Sequence, residues 1–132
     1  MLLVDTSIWI EVFRRGSRFD LTSVAEADEW VVCLPVVQEV LQGFRDELPY
    51  RTARNALLAM PIVESPLEAA VFLEAADLYR AARRAGRTIR SGTDCLIAAC
   101  AIRHDLEVVH HDRDFHTLAG VSTLRARDPL AE

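Results

Sequence analysis

Five acidic residues stand in settings unlike those of ordinary surface carboxylates. Asp5 ends the apolar run Leu2-Leu3-Val4, Glu39 lies among Val36, Val37, Val40 and Leu41, and Asp94 introduces the apolar run Cys95–Ile102. Asp112 and Asp114 come directly after Glu107-Val108-Val109-His110. Carboxylates taken out of water singly are costly, and several in one cleft raise one another's pKa. A divalent cation relieves both penalties. An all-carboxylate donor set suits a hard ion, Mg²⁺ or Mn²⁺, rather than Zn²⁺. Such an ion acidifies water and screens the charge of a phosphate, which is the chemistry of phosphodiester hydrolysis. Taken one at a time these acids have plainer readings. Asp94 suits a helix N-terminus, Asp5 a cap, and Asp112-Arg113-Asp114 a polar loop. Convergence of all of them is what argues for a metal.

Convergence requires a scaffold, and the apolar pattern supplies one. Leu2–Val4, Trp30–Leu34, Pro61–Val63, Glu107–His110 and Val121–Thr123 read as short strands. Helices are expected from Thr6-Ser7 to Arg14, over about 21–28, from Pro35 past Phe44, over 48–59, from Pro66 to Ala85 with Gly86 ending it, and from Ser91 or Thr93 through Ile102. The 95–102 helix is apolar on nearly every side and is placed deep inside. Strands without a polar face, alternating with helices, predict a parallel sheet of four to five strands covered on both sides, a three-layer α/β/α domain. Ligands of such sheets sit beyond the strand carboxyl ends, where Asp5, Asp112 and Asp114 fall, with Glu39 one turn into its helix and Asp94 in the first turn of the buried one. Gly43, four residues after Glu39, leaves that carboxylate unshielded.

The 132 residues make one domain, 1–132, and 51% apolar with 27% charged residues excludes a disordered chain. All 15 basic residues are arginine. Without lysine there is no Walker A loop, no Schiff-base enzyme and no receiver domain. Ser7, where an Asp-x-Asp phosphatase needs its second Asp, excludes that class too. A net charge of −5 argues against binding nucleic acid through bulk charge but leaves room for local binding through a metal and arginines. No run approaches the ~20 apolar residues of a membrane span. An acid-bearing N-terminus predicts no signal peptide, and three cysteines in an unexported chain predict reduced thiols in the cytoplasm.

Val4-Asp5-Thr6-Ser7, Pro35-Val36-Val37-Gln38-Glu39-Val40, Gly92-Thr93-Asp94-Cys95-Leu96-Ile97-Ala98-Ala99 and His111-Asp112-Arg113-Asp114-Phe115, in this order over essentially the whole chain, resemble the PIN-domain family and its small prokaryotic VapC-type toxins. The resemblance implies a metal-dependent endoribonuclease. Its acidic quartet would be Asp5, Glu39, Asp94 and Asp112, binding Mg²⁺ (or Mn²⁺) with Asp114 assisting, and Thr6 matches the hydroxyl position beside the first Asp. It further implies an RNA substrate cut by metal-activated water, a homodimer, and inhibition by a VapB-type antitoxin whose peptide arm covers the site. No nucleotide cofactor and no membrane are implied. The competing reading is a catalytically inactive PIN-like module that binds RNA or protein; an intact quartet argues against it.

Arg80, Arg83, Arg84 and Arg87 recur at helical spacing, and Arg90 continues toward Asp94. Such a stripe can hold RNA phosphates or stand as a solvated face; Arg87 and Arg90 are the candidate substrate contacts. Cys33, Cys95 and Cys100 read as small core residues, and His110 and His111 as polar residues at a strand end. Trp9 and Trp30 read as core or interface.

Overall fold

The computed structural model describes residues 1–131. Five parallel strands, β1 (Leu2–Val4), β2 (Trp30–Cys33), β3 (Ile62–Val63), β4 (Glu107–Val109) and β5 (Arg125–Arg127), form one sheet in the order β3-β2-β1-β4-β5. The helices are α1 (Thr6–Phe13), α2 (Leu34–Leu41), α3 (Glu47–Leu58), α4 (Ala69–Arg84), α5 (Gly92–Arg103) and α6 (Arg113–Gly120). They cover both faces, giving the three-layer α/β/α arrangement. Leu3 pairs with Val31 on one side and Val108 on the other, and all three are buried.

The strand order sets the position of the site. From β1 the chain moves outward through β2 to β3, then returns to lay β4 on the opposite side of β1. The crevice above the carboxyl ends of β1 and β4 is therefore the switch point at which doubly wound sheets bind ligands. Helix α5 passes through the core because its residues are small: Cys95, Ala98, Ala99, Cys100 and Ala101 are all buried, so α4 can pack closely upon it. Its first turn lies at the same crevice, and Ser91 caps it through a hydrogen bond from the Thr93 N–H. The three cysteines are free and buried, and Trp9 is buried with its ring edge against Trp30.

Four expectations need correction. The segment 21–28 is not a helix but two single 3₁₀ turns, Leu21–Ser23 and Ala27–Glu29. Asp20 caps the first and a Glu26/Glu29 capping box the second, and such local side-chain bonds compete with helix propagation. The residues 121–123 form a turn, held by the Ser122 hydroxyl donating to Leu118 O, and the strand comes later at Arg125–Arg127. An Arg-Ala-Arg edge strand carries no apolar signal. Asp112-Arg113-Asp114 is not a polar loop but the start of α6, which Asp112 caps and Phe115 and Leu118 anchor in the core. Helix α4 also begins at Ala69 rather than Pro66. No described helix is long and apolar enough to cross a membrane.

Candidate active site

The five acids come from four places in the fold. Asp5 leaves β1 and caps α1: its Oδ2 accepts the Ser7 N–H at 3.0 Å and the Ser7 hydroxyl, while its own N–H donates to Val109 O of β4. Asp112 follows β4 and caps α6, its Oδ1 accepting the Asp114 N–H at 3.0 Å. Asp114 lies in the first turn of α6, Asp94 in the first turn of α5, and Glu39 one turn inside α2. All five line one cavity of about 230 Å³ together with Thr6, Ser7 and Arg90.

Within it, Asp94, Asp112 and Asp114 each offer an oxygen within 4.8 Å of the other two. The tight trio thus contains Asp114, which the expected quartet left as an assistant. Asp5 and Glu39 share the cavity but lie outside the trio. Asp5, Asp94 and Asp114 are only 3%, 7% and 4% exposed. Burial pushes the Asp5 carboxyl up to about 6, against the hydrogen bonds from Ser7. Burial, then the charges of Asp5, Asp112, Glu39 and Asp114, push Asp94 up to about 8. The buried Asp5 Oδ1 has no hydrogen-bond partner. An orphaned carboxylate oxygen and an under-compensated aspartate beside two more carboxylates are what a hard, oxygen-seeking cation fits.

The candidate substrate contacts are placed differently from one another. Arg90 is drawn onto the acids: its guanidinium donates to Asp112 Oδ1 at 2.6 Å and Asp114 Oδ2 at 3.2 Å, and its backbone N–H also donates to Asp114. The Thr6 hydroxyl donates to Glu39 Oε1 at 2.8 Å. Arg87 lies outside the acidic cavity and is exposed. His110 is fully buried; its Nδ1 accepts the Asp112 N–H at 3.1 Å, which steadies the start of α6. The exposed His111 ring contacts Asp128.

Sequence reasoning missed Ser7. Its hydroxyl donates to Asp5 and accepts the His111 N–H at 2.8 Å, tying the ends of β1 and β4 together. A serine two residues after a capping aspartate was the only available signal.

These pKa displacements set a stability profile for the metal-free protein. Asp5 and Asp94 hold protons in the fold that the unfolded chain, with carboxyls near ~4, releases. Their effect is to lower stability as pH rises through about 6 and about 8. Burial lowers the His110 pKa, so His110 works in the opposite direction, but only below its ordinary value. Between about pH 6.5 and 8 the carboxylates therefore dominate. In EDTA the melting temperature is expected to fall across that window. Mg²⁺ at 100 times its Kd should add about 2.7 kcal/mol, roughly 10 °C, and more at pH 8 than at pH 6.5. A flat profile insensitive to Mg²⁺ would contradict this.

A family model described as the PIN domain matches residues 2–121. Ribonuclease VapC11 from Mycobacterium tuberculosis (strain ATCC 25618 / H37Rv) is 40% identical over 131 residues, 96% of this chain and 97% of the relative. Among solved structures, VapBC2 from Rickettsia felis bound to a DNA fragment from its promoter superposes with a TM-score of 0.76 at 14% identity, covering 96% of this chain and 97% of that one. VapBC-5 from Mycobacterium tuberculosis, a member of the VapBC family of toxin-antitoxin systems, gives 0.73 at 19% identity over 96% and 97%. At these identities the structural likeness speaks for the fold.

Proposed function

Because the chain belongs to the PIN-domain family, and within it to the VapC ribonucleases, we propose that it is a divalent-metal-dependent endoribonuclease and the toxin of a toxin–antitoxin pair. The observation that carries this reading is the single cavity with five carboxylates, one of them holding an unpartnered buried oxygen and another pushed up to about 8. A non-catalytic module has no physical need for that cost.

Asp94, Asp112 and Asp114 would hold the ion, Mg²⁺ or Mn²⁺, with Asp5 and Glu39 completing its surroundings. When bound, the cation supplies an acidified water and screens the negative charge of the scissile phosphate. The chain's own residues prepare the place for it. Thr6 fixes the Glu39 carboxylate, and Ser7 holds one oxygen of Asp5 and leaves the other without a partner. Arg90 fixes Asp112 and Asp114 and offsets part of their repulsion. Four helix or strand ends thus present their acids without needing substrate to order them, the preorganisation that electrostatic catalysis requires. No protein nucleophile is needed. A VapB-type antitoxin is the proposed partner, with the toxin acting as a homodimer in the cytoplasm, where buried free thiols such as Cys33 stay reduced.

Incubation with total cellular RNA, with Mg²⁺ or Mn²⁺ and separately with EDTA, tests the reading. Discrete fragments are expected only with the metal, and end mapping gives the cut positions. RNA left whole under both conditions would overturn it.

A further inference from the structure

Beside the acidic cavity lies a larger one of about 640 Å³. Arg87 and Thr88, just past the end of α4, form one wall; Arg113, His116 and Thr117 of α6 form the other. Asp114 lines both cavities, so the two share a partition. Seven other arginines, including Arg80, Arg90 and Arg103, are engaged in ion pairs. Arg87 and Arg113, like six further arginines, take part in none among the described residues, and both are exposed. A protein of net charge −5 has thus left two free guanidiniums over one concavity next to its acid cluster.

The cavity has the size of a small-molecule site, roughly 300–1,000 Å³, which accommodates one nucleotide but not a duplex. Two guanidiniums match a phosphate, which takes charge-assisted and bidentate hydrogen bonds. The Thr88 and Thr117 hydroxyls can both donate and accept, as ribose hydroxyls and base edges require, and the His116 ring offers a stacking surface. Val121 adds apolar contact. A base can enter such a hollow only when splayed out of a single strand.

We propose that this cavity is a nucleotide subsite: it holds the nucleotide next to the scissile phosphate in a single-stranded stretch of RNA, with Arg87 and Arg113 on that nucleotide's phosphate. The proposal rests on the ribonuclease reading for what occupies the acidic cavity, and the experiment separates the two.

A fluorescein-labelled single-stranded RNA 12-mer is titrated in EDTA against the wild type, Arg87→Ala/Arg113→Ala and Arg80→Ala/Arg83→Ala. The last pair removes the same formal charge from residues that do not line the cavity. Each phosphate contact on a single strand contributes about 0.7 to the slope of log affinity against log salt. With both arginines on one phosphate, the cavity variant should therefore lose about 0.7 from its slope, and the control pair should keep it. Arg87→Lys/Arg113→Lys should restore the slope without the full affinity, because lysine supplies charge but no fork. With Mg²⁺, the cavity variant should lose at least tenfold in kcat/KM, through KM, with its Mg²⁺-induced melting shift unchanged. An unchanged slope and KM in the cavity variant, or an equal loss in the control, overturns the subsite. So does a wild type that binds no RNA. Binding with the expected slope but no cleavage keeps the subsite and removes the nuclease. Cleavage indifferent to Arg87 and Arg113 does the reverse.

Discussion

Asp94→Asn is expected to reduce RNA cleavage by about 10²–10³-fold or more, and in the absence of metal to make the protein more stable at pH 8. The two halves have one cause. Asp94 is 7% exposed in the first turn of a buried helix and meets the charges of Asp5, Asp112, Glu39 and Asp114. Its charged form is tolerated only at a cost, which is why its carboxyl is pushed up to about 8. Asparagine keeps the shape and removes the charge, so the cost disappears while one of the three closest oxygen donors loses its attraction for a cation. Melting curves in EDTA at pH 8 should place the variant above the wild type. In saturating Mg²⁺ the order should reverse, because only the wild type gains the ligand's stabilisation. A variant that cuts RNA at the native rate, or that is less stable in EDTA at pH 8, removes Asp94 from the metal centre. Function held at the expense of stability is the usual signature of an active site.

The pair Asp112→Asn and Asp112→Ala separates two tasks of one side chain. Asp112 Oδ1 accepts the Asp114 N–H as the cap of α6 and also belongs to the acidic trio. Asparagine caps a helix about as well as aspartate; alanine forfeits the cap, at about 1 kcal/mol. Both variants should lose cleavage by about 10²-fold or more. Only alanine should also lower the urea midpoint, through a loosened α6, since that helix carries Asp114. Active Asp112→Asn protein would mean that Asp112 serves the fold alone. Equal destabilisation by both substitutions would mean that the Arg90 ion pair outweighs the cap.

The parts of this architecture that can be read from the chain are those whose cause is local. Leu2–Val4 and Val108-Val109 are apolar because a central parallel strand has no wet face, and the run 95–102 is apolar because α5 crosses the core. Since Asp5, Glu39, Asp94 and Asp112 each end or interrupt such a run, their meeting in one cavity could be anticipated. What could not be read depends on partners distant in sequence. Ser7 meets His111 across 104 positions, and Arg90 meets Asp114 across 24. No periodicity announces either bond. Its nearness to Asp94 in sequence suggests that Arg90 is a phosphate contact, whereas its guanidinium bonds the carboxylates. Helix α6 was hidden for another reason: only Phe115 and Leu118 of its eight residues are buried and apolar, too few to display a stripe.

The guanidinium of Arg90 has a consequence in time. By spanning Asp112 and Asp114 it gives the newly made chain a provisional counter-ion of its own. The polypeptide can complete its fold and circulate with its most repulsive corner already quietened. A cation drawn to these carboxylates would thus meet a fold that does not wait for it.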